Sequence, residues 1–197
     1  NGAYEFDGIN QYLYHLDNAD LSITGDLSIG CWVNHESIPN IDVYQTYVSK
    51  MNQDNNQQSY YLGLRNDSGP NEIGLFFRKS TDGTNATSGS LFYEWIPSLN
   101  TWYFIQFTYD ENANTGSFYI DGVLVDLGLD GLGPGIDDNE SEFRIGAVVD
   151  LGDTQGYMDG RLDEVVISSR VKSAEEVEKY YNGEVSAKYY SKSGDGY

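Results

Sequence analysis

Trp102-Tyr103-Phe104-Ile105-Gln106-Phe107-Thr108-Tyr109, followed shortly by Ser117-Phe118-Tyr119-Ile120-Asp121-Gly122-Val123-Leu124-Val125-Asp126, decides the fold class. In the first run Tyr103, Ile105, Phe107 and Tyr109 share one face, while Trp102, Phe104, Gln106 and Thr108 share the other. That is the period of two a pleated strand imposes. Large side chains on both faces predict a central strand covered on both sides for part of its length. In the second run two apolar segments flank Asp121-Gly122, a dipeptide whose two residues accept the positive φ of a type I′ hairpin turn.

The same pattern extends outward. Leu27, Ile29, Cys31 and Val33 line one face of a strand, and further strands are predicted at 11–15, 44–50, 59–65, 72–79, 90–95, 142–145 and 161–168. Loops rich in Asn, Asp, Gly and Ser separate them. One helix is expected, opened by the capping box Ser173-Ala174-Glu175-Glu176, with Ala174, Val177 and Tyr181 as its apolar stripe and Gly183 to end it. Seventeen Tyr, eight Phe, three Trp and 22 Gly are what strands and tight turns consume. The expected architecture is all-β, a two-sheet antiparallel jelly-roll β-sandwich with one short C-terminal helix. Residues 1–183 form the sandwich, and 184–197, which lose periodicity, read as a linker or tail.

Charge narrows the partners. Thirty-one acidic against 11 basic residues give a net charge of −20, which repels nucleic acid phosphates and anionic lipid headgroups. A solubilising surface accounts for much of this carboxylate, and divalent cations are the partners it favours, because Ca²⁺ takes oxygen ligands. The single cysteine, Cys31, cannot close an intramolecular disulfide and reads as a small buried hydrophobe. No apolar run approaches the length of a membrane span, and no signal-peptide pattern opens the chain, so a mature or excised fragment is expected. Three Asn-x-Ser/Thr triplets, at Asn66, Asn85 and Asn139, mark polar loops.

Several short motifs carry a resemblance. Phe6-Asp7-Gly8, Gly25-Asp26-Leu27-Ser28-Ile29-Gly30-Cys31-Trp32-Val33, Thr101-Trp102-Tyr103-Phe104, Tyr119-Ile120-Asp121-Gly122, Phe143-Arg144-Ile145-Gly146 and Gly160-Arg161-Leu162-Asp163-Glu164-Val165 occur in order across residues 3–183. Together they resemble the laminin-G-like, concanavalin A-like jelly rolls of the lectin and glucanase superfamily, including pentraxin-like members. Relatives often carry His after the tryptophan of the 101–104 motif, and Tyr103 stands there.

The resemblance implies a frame that hosts lectins, carbohydrate-binding modules, adhesion domains and glycosidases alike. Catalysis is not expected. A retaining glycosidase needs two carboxylates about 5–5.5 Å apart, and the Glu-x-Asp-x-x-Glu strand of related glucanases is absent. Glu140-Ser141-Glu142 and the 159–164 stretch are the nearest acidic groupings. His15 and His35 have no sequence context joining either to a nucleophile.

An extracellular or cell-surface, non-catalytic module is expected, most consistent with carbohydrate-binding or adhesive function within a larger multidomain chain. Its partner is a glycan or a cell-surface protein, and a structural spacer is the third reading. Sugar sites combine an aromatic platform with amide and carboxylate groups. Candidate ligand residues are Asn52, Asp54, Asn55 and Tyr60 in and after the amide-rich segment 52–58, Trp95, and Asp150, Asp153 and Tyr157 in the segment 150–157. Segment 52–58 equally reads as a solvated hairpin loop, and Trp95 as a core or edge-covering residue.

Calcium is expected from the resemblance in two places. Asp7 and Asp163 are implied as ligands of a structural ion, each aspartate having a turn-stabilising role as the alternative. Asp150 and Asp153 are implied as holders of a second ion at the rim.

Overall fold

The computed structural model describes residues 2–67, 72–129, 131–150 and 152–184. Fourteen strands and one helix follow in order: β1 (Tyr4–Asp7), β2 (Leu13–His15), β3 (Leu27–His35), β4 (Val43–Asn52), β5 (Gln57–Asn66), β6 (Ile73–Gly83), β7 (Ser88–Glu94), β8 (Trp102–Asp110), β9 (Thr115–Ile120), β10 (Val123–Leu129), β11 (Phe143–Ile145), β12 (Val148–Asp150), β13 (Asp153–Gln155), β14 (Asp159–Ser168) and α1 (Ala174–Tyr181). One sheet has the order β1-β14-β3-β8-β9-β10; the other has β13-β12-β4-β5-β6-β7, with β11 and β2 attached through β4. Pairing is antiparallel except at one bridge, Val149 with Asn52. The architecture is an all-β, two-sheet antiparallel sandwich with one short C-terminal helix.

The alternating strands form the core because their apolar faces meet between the sheets. Leu27, Ile29, Cys31 and Val33 of β3 join Ile105, Phe107 and Tyr109 of β8 against Leu62, Leu64, Leu75 and Phe77 of the opposite sheet. Phe77 and Phe107 stack across the interface with centroids 3.8 Å apart. Each such side chain contributes about 1.5–3 kcal/mol by leaving water. Burial pushes the Cys31 thiol up to about 12, so it stays protonated.

The second face of β8 is covered as its sequence predicts. Ser173 Oγ accepts the Glu176 N–H while Glu176 Oε2 accepts the Ser173 N–H, which closes the capping box. The helix so started lays Val177 against Phe104 and Tyr119, and Tyr181 stacks on Trp32. Asp121 and Gly122 both take positive φ, 51° and 80°, in the β9–β10 turn.

Beyond that turn the ladder shifts register between Leu124 and Asp126 of β10. This edge strand exposes Val123, Leu124 and Leu127.

β1, β12 and β13 are additions to the strands read from sequence. Each is three or four residues long, and β1 buries only Phe6, so there is little alternation to see.

Candidate functional site

The outer face of the larger sheet carries a second, smaller cluster in which Met51, Tyr61, Phe76 and Val148 pack together with Tyr44. Register arranges it as a grid. Tyr44, Arg65, Gly74 and Glu94 form one cross-strand row, Thr46, Gly63, Phe76 and Phe92 the next, and Ser49, Tyr61, Arg78 and Ser90 a third. Ser49 is also paired with Arg144 of β11. Two glycines keep the floor open: a Cβ on Gly63 would lie 2.5 Å from the Tyr61 hydroxyl, and one on Gly74 would lie 2.7 Å from the Phe92 ring.

Three of the five arginines in the sequence stand on this face. The Arg65 guanidinium lies 4.9 Å from the Phe76 centroid and 5.8 Å from that of Tyr44, and pairs with Asp67 at 2.6 Å. Arg78 donates to Asn85 and, at 2.9 Å, to Ser88 Oγ. Arg144 lies 4.8 Å from the Tyr12 centroid and donates to Thr154 Oγ1 at 2.7 Å and Glu142 Oε2 at 2.8 Å. Asp150, only 8 % exposed, shares the depression lined by Tyr44, Tyr61, Arg65, Phe76 and Arg78. Desolvation lowers the Arg78 pKa, and desolvation together with the Asp150 charge raises that of Tyr44. Low dielectric therefore strengthens polar contacts made here.

The structure brings the two segments singled out from sequence together. The Val149–Asn52 bridge sets the end of β12 beside the short 3₁₀ turn 53–55, so Gln53 and Asp150 border the same depression. Asn52 borders an adjoining hollow with Gln57, Glu140, Glu142 and Arg144. Asn55 is exposed, and of Asp54 only the backbone is described. Asp153 is exposed, opposite Asp150 in the β12–β13 hairpin. Tyr157 stands 6.4 Å from Tyr12, the ring that carries Arg144.

Two candidate ligand residues lie elsewhere. Tyr60, 1 % exposed, points into the core between the sheets, because it alternates with the outward Tyr61. Trp95 packs on the core edge, perpendicular to Tyr103 at 5.0 Å.

Of the aspartates named for calcium, Asp150 and Asp153 are cross-strand partners, whereas Asp7 and Asp163 are apart. Asp7 pairs with Asp159, whereas Asp163 lies four residues further along β14 and faces Trp32. At about 3.3 Å per residue that is roughly 13 Å, too far for one ion to bind both. Asp7 Oδ1 accepts the N–H groups of Ile9, Asn10 and Gln11, and the Ile9 and Asn10 bonds hold its pKa below the usual range. Asp163 Oδ1 accepts the Glu164 N–H at 2.9 Å. Among the described residues no three His, Cys, Asp or Glu side chains form a metal-holding group.

Sequence reading passed over Tyr44, Tyr61, Phe76, Arg65 and Arg78. Their parity in Tyr61-Leu62-Gly63-Leu64-Arg65 and Phe76-Phe77-Arg78 is the signal that sets them on one face.

A family model described as the concanavalin A-like lectin/glucanases superfamily matches residues 7–178. No curated protein matches the chain. Among solved structures, it is similar to the binding domain of Paraclostridial Mosquitocidal Protein 1, with a TM-score of 0.67 and 18 % identity over 91 % of this chain and 42 % of that one. The botulinum neurotoxin serotype G binding domain gives 0.65 and 17 %, covering 91 % and 42 %. The receptor binding domain of botulinum neurotoxin mosaic serotype C/D gives 0.65 and 15 %, covering 90 % and 41 %. At these identities the likeness is one of fold, and the chain spans less than half the length of each structure.

Proposed function

The chain belongs to the concanavalin A-like lectin/glucanases superfamily, and from that premise we propose that it is a non-catalytic, extracellular or cell-surface carbohydrate-binding module. The glycan is held on the outer face of the larger sheet, where segments 52–58 and 150–157 meet. The observation that carries this reading is the Tyr44–Tyr61–Phe76 cluster with Arg65, Arg78 and Asp150 around it. The half-buried Tyr44 ring, backed by the buried Tyr61 and Phe76, takes the C–H side of a sugar ring, guanidinium groups donate to its oxygens, and a carboxylate accepts from its hydroxyls.

The non-catalytic character is supported by the acidic residues themselves: Glu142 is tied to Arg144, and the Asp163–Glu164 pair lies on the other sheet. The module is one part of a larger secreted or surface protein. This fits structural relatives more than twice its length. Of residues 184–197, read as a linker or tail, all but Glu184 lie outside the described residues. Calcium has no place in the proposal at a joint Asp7–Asp163 site.

A glycan array followed by calorimetric titration of the best ligand tests the reading. Arg78→Ala and Tyr44→Ala should each weaken binding about tenfold with the fold intact. Binding indifferent to both variants would reject the site, and an array without a ligand would reject carbohydrate in favour of a protein partner.

A further inference from the structure

The outer face of the smaller sheet bears a different combination of side chains. Register sets Trp32 opposite Phe104 and Asp163, and Asn34 opposite Trp102 and Arg161, so all six belong to one face. Helix α1 covers Phe104, and its Tyr181 stacks on Trp32 at 5.8 Å. Where the helix stops short, a shallow groove of about 330 Å³ remains, walled by Trp32, Trp102, Asp163 and Glu164. Trp102 is 39 % exposed there.

Consecutive strand residues point to opposite faces, so Asp163 and Glu164 would not share a groove on a regular strand. They do because the β14 ladder shifts between Asp163 and Val166, and Glu164 takes a left-handed φ of 47°. The bulge lets both residues wall the same opening. Among the described residues neither forms an ion pair. Arg161, the cation on this face, is held by Glu5 at 3.3 Å and Glu36 at 2.8 Å.

The groove therefore offers the exposed Trp102 indole, a Trp32 indole partly covered by Tyr181, and two acidic side chains. Carboxylates accept hydrogen bonds and do not donate, which suits a ligand group with donors only, and an ammonium group has three donors and no acceptor. Indole attracts a cation through its ring face and packs on the C–H face of a pyranose. The net charge of −20 draws a cation in from a distance.

We propose that this groove is a second saccharide site, selective for an amino sugar whose ring lies on Trp102 and whose ammonium group meets Asp163 and Glu164. The proposal rests on the glycan-binding reading above but uses the opposite face of the sandwich. Titration with a glucosamine trimer and its N-acetylated counterpart, near neutral pH and followed by tryptophan fluorescence and calorimetry, tests it.

The free amine should bind at least tenfold tighter than the acetylated trimer. Trp102→Ala and the double variant Asp163→Asn/Glu164→Gln should each remove at least tenfold of that affinity. Arg78→Ala, on the other face, should leave it unchanged, and matched thermal unfolding curves confirm that the variants fold. Equal binding of the two trimers, or binding of the free amine untouched by Trp102→Ala, would overturn the amino-sugar site. Loss of array ligands in Arg78→Ala alongside either result would leave the first site standing, so the two readings fail separately.

Discussion

His35 Nε2 lies 2.9 Å from the Tyr47 hydroxyl, and both side chains are fully buried between the sheets. Gln45 orients the imidazole: its Nε2 donates to Ser37, so its Oε1 faces His35 Nδ1 at 2.6 Å and accepts from it. The histidine is thus neutral with the proton on Nδ1, and Tyr47 donates to Nε2. Burial pulls the His35 pKa down to about 4 from its ordinary 6.5.

An acid-labile fold follows. Between about pH 6.5 and 4 the unfolded chain binds a proton at His35 that the folded chain does not, so unfolding free energy rises with pH across that window. The His35 contribution is full above 6.5 and falls by up to about 1.4 kcal/mol per unit as the pH drops, about 3 kcal/mol in all. Urea titrations at stepped pH should show this slope, and His35→Gln should flatten it. A flat profile in the native protein would mean that His35 takes up its proton while folded.

Ser173→Ala removes one half of the capping box and should cost about 1 kcal/mol in a urea titration. The loss should appear in the global transition, since the helix covers Phe104 and Tyr119 and is part of the same packing. A separate early transition would show that helix and sandwich unfold independently.

Glu164→Gly should raise stability by up to about 1 kcal/mol, because glycine occupies the left-handed region without a Cβ clash while adding some unfolded-state entropy. A higher melting temperature with weakened glucosamine binding would identify a strained position kept for its carboxylate. A lower melting temperature would assign Glu164 a stabilising contact.

Thermal unfolding in calcium and in chelator checks the separation of Asp7 from Asp163. Any calcium-induced shift should be the same size in Asp163→Ala as in the native chain. Its disappearance in that variant would mean that Asp163 holds the ion.

How much of this was legible in the sequence depends on where polarity breaks the alternation. The β9–β10 hairpin, the β8 strand with two covered faces and the capped helix were plain, because Asp121-Gly122, the Trp102–Tyr109 alternation and the Ser173–Glu176 pair are local signals. Both segments 52–58 and 150–157 were singled out from sequence, although nothing local encodes the Val149–Asn52 bridge that brings them together. The grid of Tyr44, Tyr61, Phe76 and the arginines was missed for a physical reason. Tyr60 and Tyr61, like Phe76 and Phe77, are adjacent aromatics on opposite faces, and alternation cannot say which of two aromatic faces is the core. The same ambiguity sent Tyr60 to the surface.

The register shift in β10 has a bearing on how the molecule meets its own copies. Val123, Leu124 and Leu127 stand exposed along an outermost strand, a combination that ordinarily templates the addition of a foreign strand and the growth of fibrils. The break between Leu124 and Asp126 bends the strand at its middle, so an incoming chain finds two short stubs out of line with each other, neither long enough to zip. Straightening β10 would turn a tolerated oily margin into a seed for aggregation.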